Sequence, residues 1–248
     1  MPAHHFALGA ACAGLLPAAG ALTYPKDAPY TRIVLQQLLP AGVRVRLATL
    51  DDLAQLLELE AFWGTDVLAA DGATLRHRLE AHPTGQYVVE ATGGELVAAM
   101  YTQRVASYEC LLSTTRATEL DLHTPNGPVV QLLGVVQRRG SAPMAAAAHM
   151  PASQSVGKML RDFVLHLGRL DATVERACGV TRCRDYNGAA GKSYEQHVRE
   201  CRDPGLLFHW DAGALIGELV PNYRPRDEAN LGYGVMICYE LGQGGREG

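Results

Sequence analysis

Apolar positions recur at strand or helix spacing along most of residues 41–241, and the alternating periods predict interleaved strands and helices. VRVRLA, residues 43–48, alternates strictly and predicts a strand with Val43, Val45 and Leu47 inward. Thr49 then caps a helix through Leu53, Leu56, Leu57 and Ala61 that ends near Phe62 and Trp63 at Gly64. A second helix runs from Ala73 to Ala81 and stops before Pro83. Residues 86–92 and 95–107 flank Gly93 and Gly94 and predict a hairpin.

VVQLLGVV, residues 129–136, is apolar on both faces and predicts a central strand. A long small-residue passage, RRGSAPMAAAAHMPASQ, separates it from a helix that starts near Ser155 and runs through Leu160, Phe163, Val164 and Leu167. A strand around CGVTRC (178–183) and a short helix over 193–200 follow. Asp211 with Leu215, Ile216, Leu219 and Val220 then predicts a capped helix ended by Pro221, and VMICYE is the last strand. The order β, α, α, β, β, β, α, β, α, α, β is that of a single α/β domain over 41–241. Residues 1–40 are expected to be a linker with a short docked helix from Tyr30 to Leu39, and 242–248 a C-terminal linker, as in a domain cut from a longer chain.

Composition narrows the chemistry. A formal net charge of −4 over 248 residues leaves no basic excess, so no nucleic-acid partner is expected and an anionic ligand must meet a local positive site. The apolar stretch Ala7–Leu22 is broken by Gly9, Gly14, Pro17 and Gly20 and falls short of the about 20 residues a spanning helix needs. It also lacks a basic leader, so no membrane association is expected. Six dispersed cysteines without a CxxC pair predict reduced thiols and a cytoplasmic setting, with no metal site.

Several residues have both a structural and a chemical reading. The turn from Ala152 to Lys158 leads from a central strand to a helix N-terminus, where backbone amides can hold a pyrophosphate, but it has one glycine and on its own better suits an ordinary connection. Thr181 falls near a strand's carboxyl end, where open sheets bind ligands, yet it is also simply a β-favouring residue. His209 follows an apolar run and on its own reads as a structural histidine. Trp63 and Trp210 suit a core or its rim, and Arg224 with Arg226 and Asp227 suits a solvated ion cluster.

Three segments taken together resemble the GNAT superfamily and, more narrowly, the GNAT-like domains of polyketide synthase loading modules of the curacin type. They are LHTPNGPVVQLL (122–133), VTRCR (180–184) and FHWDAGALIGELVPNYRPRD (208–227), in the family's order, and the likeness covers residues 43–240. It implies a GNAT acyltransferase fold, a single mixed central β-sheet flanked by helices. By motif match it implies that Trp63, Thr181, His209 and Arg224 surround an acyl thioester. Coenzyme A is then a substrate rather than a tightly bound cofactor, held by Leu133 and Val135 of the central strand and by the amides of Val156, Gly157 and Lys158. The loop departs from the superfamily pattern, since Ala152 and Ser155 stand where two of its residues belong, and Gly140–Met150 looks like an insertion.

The resemblance further implies decarboxylation of malonyl- or methylmalonyl-coenzyme A to a starter acyl unit, with S-acyl transfer to an acyl carrier protein as a second step, beside neighbouring synthase domains. Loss of carbon dioxide leaves an enolate, which hydrogen-bond donors such as Thr181 Oγ and His209 can stabilise, and His209 could also return the proton. Two other readings stay open: S-acetyl transfer from coenzyme A to a carrier thiol without decarboxylation, and a non-catalytic brace between domains. A conventional N-acetyltransferase would need a base for an amine, and no Asp or Glu falls on the strands near Thr181.

Overall fold

The computed structural model describes residues 42–64, 68–138, 155–188 and 191–241. The expected helix at 30–39, the passage 140–150, Ala152 and the tail 242–248 lie outside them. The strands β1 (Val43–Leu47), β2 (Gln86–Ala91), β3 (Leu96–Val105), β4 (Val129–Gln137), β5 (Arg176–Thr181), β6 (Leu215–Val220) and β7 (Gly234–Glu240) make one sheet in the order β1-β2-β3-β4-β5-β7-β6. Only β4 and β5 pair in parallel, so the sheet is mixed as expected. The helices among the described residues are α1 (Leu53–Glu60), α2 (Gly72–Ala81), α3 (Glu109–Leu112), α4 (Val156–Leu170), α5 (Tyr194–Glu200) and α6 (Pro204–Trp210).

The two faces of the sheet carry separate cores. On one, Leu56 and Leu59 of α1 and Leu75 and Leu79 of α2 pack with Val88, Leu96, Ala99, Tyr101, Leu133 and Val136. On the other, Leu160, Val164 and Leu165 of α4 pack with Val89, Ala98, Met100, Val130, Leu132 and Ile237. Each fully buried leucine contributes about 1.5–3 kcal/mol, so truncating either stripe would loosen the sheet that carries the site. Helix α4 is also the crossover that a parallel β4–β5 pair requires, and it starts where the Ser155 side chain accepts from the Lys158 amide. Val43 and Val45 pack inward as predicted, whereas Leu47, the last residue of the edge strand β1, is 43% exposed.

The sheet opens at its centre. β4 pairs with β5 only as far as Leu132 opposite Gly179, although β4 runs on to Gln137 and β5 to Thr181. On the other side of β4, Tyr101 faces Gly134 and Thr102 faces Leu132, so Leu133 is an extra residue in the ladder. Such a bulge bends its strand and increases the local twist, which separates β4 from β5 beyond this point. The gap exposes the edge of β4 toward β5.

One predicted element is different. The apolar positions 215, 216, 219 and 220 belong to strand β6, not to a helix, and Asp211 ends α6 instead of starting a new helix. Gly213 at φ +85° turns the chain after α6, and β6 pairs with β7 through Leu215–Cys238, Ile216–Ile237, Leu219–Val235 and Val220–Gly234. A register shift between Ile216 and Leu219 inserts residues into the strand, and that irregularity imitates helical spacing. Leu215 is 59% exposed, as befits an edge strand rather than a buried helical stripe. His209 accordingly lies in the last turn of α6, and a strand with its flanking turns, not a helix, separates it from Arg224.

Candidate active site

The end of β5 and the start of α6 are joined by one carboxylate. Asp203 Oδ1 accepts from the amides of Gly205 (2.7 Å) and Leu206, and Oδ2 accepts from the amides of Arg184 (2.7 Å) and Asp185 (3.0 Å). Burial pushes this carboxyl up, but the hydrogen bonds from Asp185, His197 and Gly205 outweigh it and hold it at about 2. Gly205 is required for the approach, since a Cβ there would sit 2.5 Å from the Arg182 carbonyl oxygen. Helix α6 is thereby fixed against the loop after Thr181, and its last turn carries His209.

His209 is held from several sides. Its Nδ1 is 2.8 Å from the Tyr239 hydroxyl on β7, and its ring meets Phe208 edge-on at 4.9 Å. Arg161 of α4 donates to the Phe208 carbonyl and lies 4.7 Å over the Phe208 ring. Burial, with the charges of Arg161 and Arg184, lowers the imidazole to about 3, so it is neutral at neutral pH. Burial also pushes the Tyr239 hydroxyl up, which keeps it protonated.

A single cavity of ≈ 120 Å³ at the β4–β5 opening brings together Trp63, Leu133, Val135, Thr181, His209 and Arg224. At about 10–15 Å³ per water-sized position, it has room for a short acyl unit. Trp63 reaches it from the 3₁₀ turn Ala61–Trp63 that extends α1 and ends at Gly64. Thr181 is the last residue of β5. Arg224 enters from the loop after β6, with its backbone amide donating to the Gly232 carbonyl at 3.0 Å and its guanidinium 5.4 Å from the Tyr223 ring centroid.

Val156, Gly157 and Lys158 do not line this cavity. They form the first turn of α4, where the Gly157 amide donates to Gln137 Oε1 at 2.9 Å and the Lys158 amide to Ser155 Oγ at 3.2 Å. A phosphate bound there would have to replace these internal partners.

Among the cavity residues not expected from the sequence are Glu60, Arg78, Tyr101 and Arg116. Arg78 is 2% exposed and lies 4.8 Å over the Tyr101 ring. Glu60, 3% exposed, accepts from the Ala70 amide at 2.7 Å, and burial raises its carboxyl. Arg116 pairs with Glu119 and donates to the Leu133 carbonyl at 3.2 Å, while Tyr223 also donates to Glu119. Burial disfavours the charged form of Arg78, Arg116 and Arg224, yet a guanidinium keeps its proton in a protein. A signal for Arg78 was present, because it shares the helical stripe of Leu75 and Leu79, a position where a charge needs a reason.

No protein-family model and no curated protein matches the chain. Among solved structures, a GphF GNAT-like decarboxylase in complex with isobutyryl-CoA is 35% identical at a TM-score of 0.72, over 80% of this chain and 99% of that one. The loading GNATL domain of CurA from Lyngbya majuscula is 30% identical at a TM-score of 0.71, over 80% and 98%. A malonyl-CoA decarboxylase from Rhodopseudomonas palustris, 12% identical at a TM-score of 0.57 over 86% of this chain and 63% of that one, shares the fold.

Proposed function

The chain belongs to the GNAT-like domains of polyketide synthase loading modules, and from that premise we propose that it decarboxylates malonyl- or methylmalonyl-coenzyme A to the starter acyl thioester. The observation that carries the reading is the gathering of Thr181, His209, Trp63 and Arg224 around one acyl-sized cavity at the strand opening. The pantetheine arm fits along the unpaired edge of β4 beside Leu133 and Val135, as an added strand would. Its acyl end then reaches the cavity. The pyrophosphate is assigned to the first turn of α4, at Val156, Gly157 and Lys158.

The bond between Cα and the carboxyl carbon breaks, its electron pair moves to the thioester oxygen as an enolate, and carbon dioxide leaves. Donors aimed at that oxygen lower the barrier because the charge they meet grows along the reaction. Thr181 Oγ is one such donor. His209 is the other, in the tautomer in which the protonated Tyr239 phenol donates to Nδ1 and the hydrogen stays on Nε2 for the substrate. A ring lowered to about 3 is a hydrogen-bond donor and a poor proton source, so the proton that completes the methyl group comes from water. Tyr239 is therefore a positioning residue for His209.

Arg224 orients the acyl carboxylate loosely or holds the thioester side, since a tight clamp on a group about to lose its charge would stabilise the substrate more than the transition state. Trp63 contributes a dry wall that favours loss of charge. Transfer of the product to an acyl carrier protein is the second step of this proposal. Incubation with malonyl- and methylmalonyl-coenzyme A, followed by mass measurement, tests the first: one carbon dioxide is lost from at least one of them, and recovery of both thioesters intact overturns the proposal.

A further inference from the structure

The polar groups lining the cavity do not balance. Arg116 and Glu119 pair with each other, and Arg182 pairs with Asp227 at 2.7 Å. Arg184, which also lines the cavity, is itself engaged, which leaves Arg78 and Arg224 with Glu60 as the one acid among the lining residues, and a Glu60 oxygen is engaged by the Ala70 amide. The deficit is visible in individual atoms. Nε and Nη2 of Arg78 and Nε and Nη1 of Arg224 are buried with no hydrogen-bond partner. Buried charged donors without acceptors are costly, and replacing them with apolar side chains of similar volume is often stabilising. Two guanidiniums left in this state on one cavity indicate an anion that arrives with a ligand.

We propose that Arg78 of α2, which lines the same cavity as Arg224, forms with it a carboxylate-binding end of the acyl cavity and selects coenzyme A thioesters whose acyl group ends in a free carboxylate. The inference rests on the decarboxylase reading for its substrate and extends it to a residue outside the motifs that led to that reading. A carboxylate matches the planar donor fork of arginine and supplies acceptors for the unpartnered nitrogens of Arg78 and Arg224. Two anchors on separate elements fix the direction of the bond to be broken, which must stand across the thioester plane for its electrons to enter the enolate. Glu60 beside Arg78 moderates the grip, so that the carboxylate can still leave as neutral carbon dioxide.

The test compares malonyl-coenzyme A with acetyl-coenzyme A, which lacks the carboxylate, on wild type, Arg78→Met and Arg78→Lys. Where malonyl-coenzyme A is turned over, its KM is set against the inhibition constant of acetyl-coenzyme A; where it is not, both are titrated directly. Loss of a charge-assisted hydrogen bond predicts that Arg78→Met weakens the malonyl thioester by about 10- to 100-fold and the acetyl thioester by less than about threefold. Arg78→Lys, keeping the charge but not the fork, falls between. Unfolding temperature stays level or rises in Arg78→Met, whereas a structural role would lower it. Equal weakening of both thioesters, or a wild type that binds them equally, overturns the proposal. A wild type that leaves malonyl-coenzyme A intact but binds it more tightly through Arg78 sinks the decarboxylase reading and keeps the carboxylate site. Decarboxylation without Arg78-dependent discrimination does the reverse.

Discussion

Replacing His209 with alanine removes a donor from the position where the enolate forms, and the expected cost follows from how the ring is held. Nδ1 is 2.8 Å from the Tyr239 hydroxyl, and in the proposed tautomer, with the phenol donating to it, the ring contributes one N–H, from Nε2, to the substrate. One donor of an oxyanion site is worth about 10²- to 10³-fold, or about 2.7–4 kcal/mol. His209→Ala should lower kcat for malonyl-coenzyme A by that factor with KM changed far less, and His209→Gln, which retains an amide donor, should recover part of it. The pH dependence separates donor from acid. Because burial and the Arg161 and Arg184 charges lower the imidazole to about 3, wild-type kcat should show no His209 ionisation between about pH 5 and 8. Initial rates of carbon dioxide release across that range provide the assay. A limb near pH 6.5 that disappears in His209→Gln, or a loss under about fivefold in His209→Ala, would refute the neutral-donor assignment.

Further expectations concern neighbouring groups. Thr181→Val should cost kcat about 10²- to 10³-fold with little change in unfolding temperature, measured by steady-state rates and calorimetry. Tyr239→Phe should lower kcat and introduce sensitivity to pH as the imidazole loses its fixed tautomer; unchanged kinetics would mean that Tyr239 only packs. Arg224→Ala should reduce kcat/KM, and an increase in the decarboxylation rate constant would rule out an orienting role. For stability, His209 at about 3 and His82 at about 4 are both lowered by burial, so the unfolded chain binds their protons first. Stability should therefore fall on acidification from about pH 6.5 toward pH 4, by at most about 1.4 kcal/mol per pH unit for each ring, and His82→Asn should flatten part of the slope in thermal unfolding.

The fold was legible because its strands and helices carry clean periods: the alternation of 43–48, the two-glycine hairpin and the doubly apolar run at 129–136 all correspond to strands of the sheet. The segment 215–220 was misleading because a bulged edge strand produces the same spacing of apolar residues as a helix, and only its pairing with β7 distinguishes them. At the site, Thr181, His209, Trp63 and Arg224 come from four separate parts of the chain, and nothing in local spacing joins them; their proximity depends on the opening of β4 from β5 and on the Asp203 clasp. Arg78 was hidden for a related reason. Its place on the stripe of Leu75 and Leu79 marks it as buried, but that the buried charge faces the cavity emerges only when α2 packs it over Tyr101.

The most direct test of enolate formation at Thr181 and His209 is the mass of the thioester recovered after malonyl-coenzyme A is incubated with the protein in heavy water. The account predicts acetyl-coenzyme A carrying solvent deuterium from wild type, and unconverted malonyl-coenzyme A from the Thr181→Val, His209→Ala double variant over the same interval. Decarboxylation by the double variant at the wild-type rate, or none by the wild type, would contradict it.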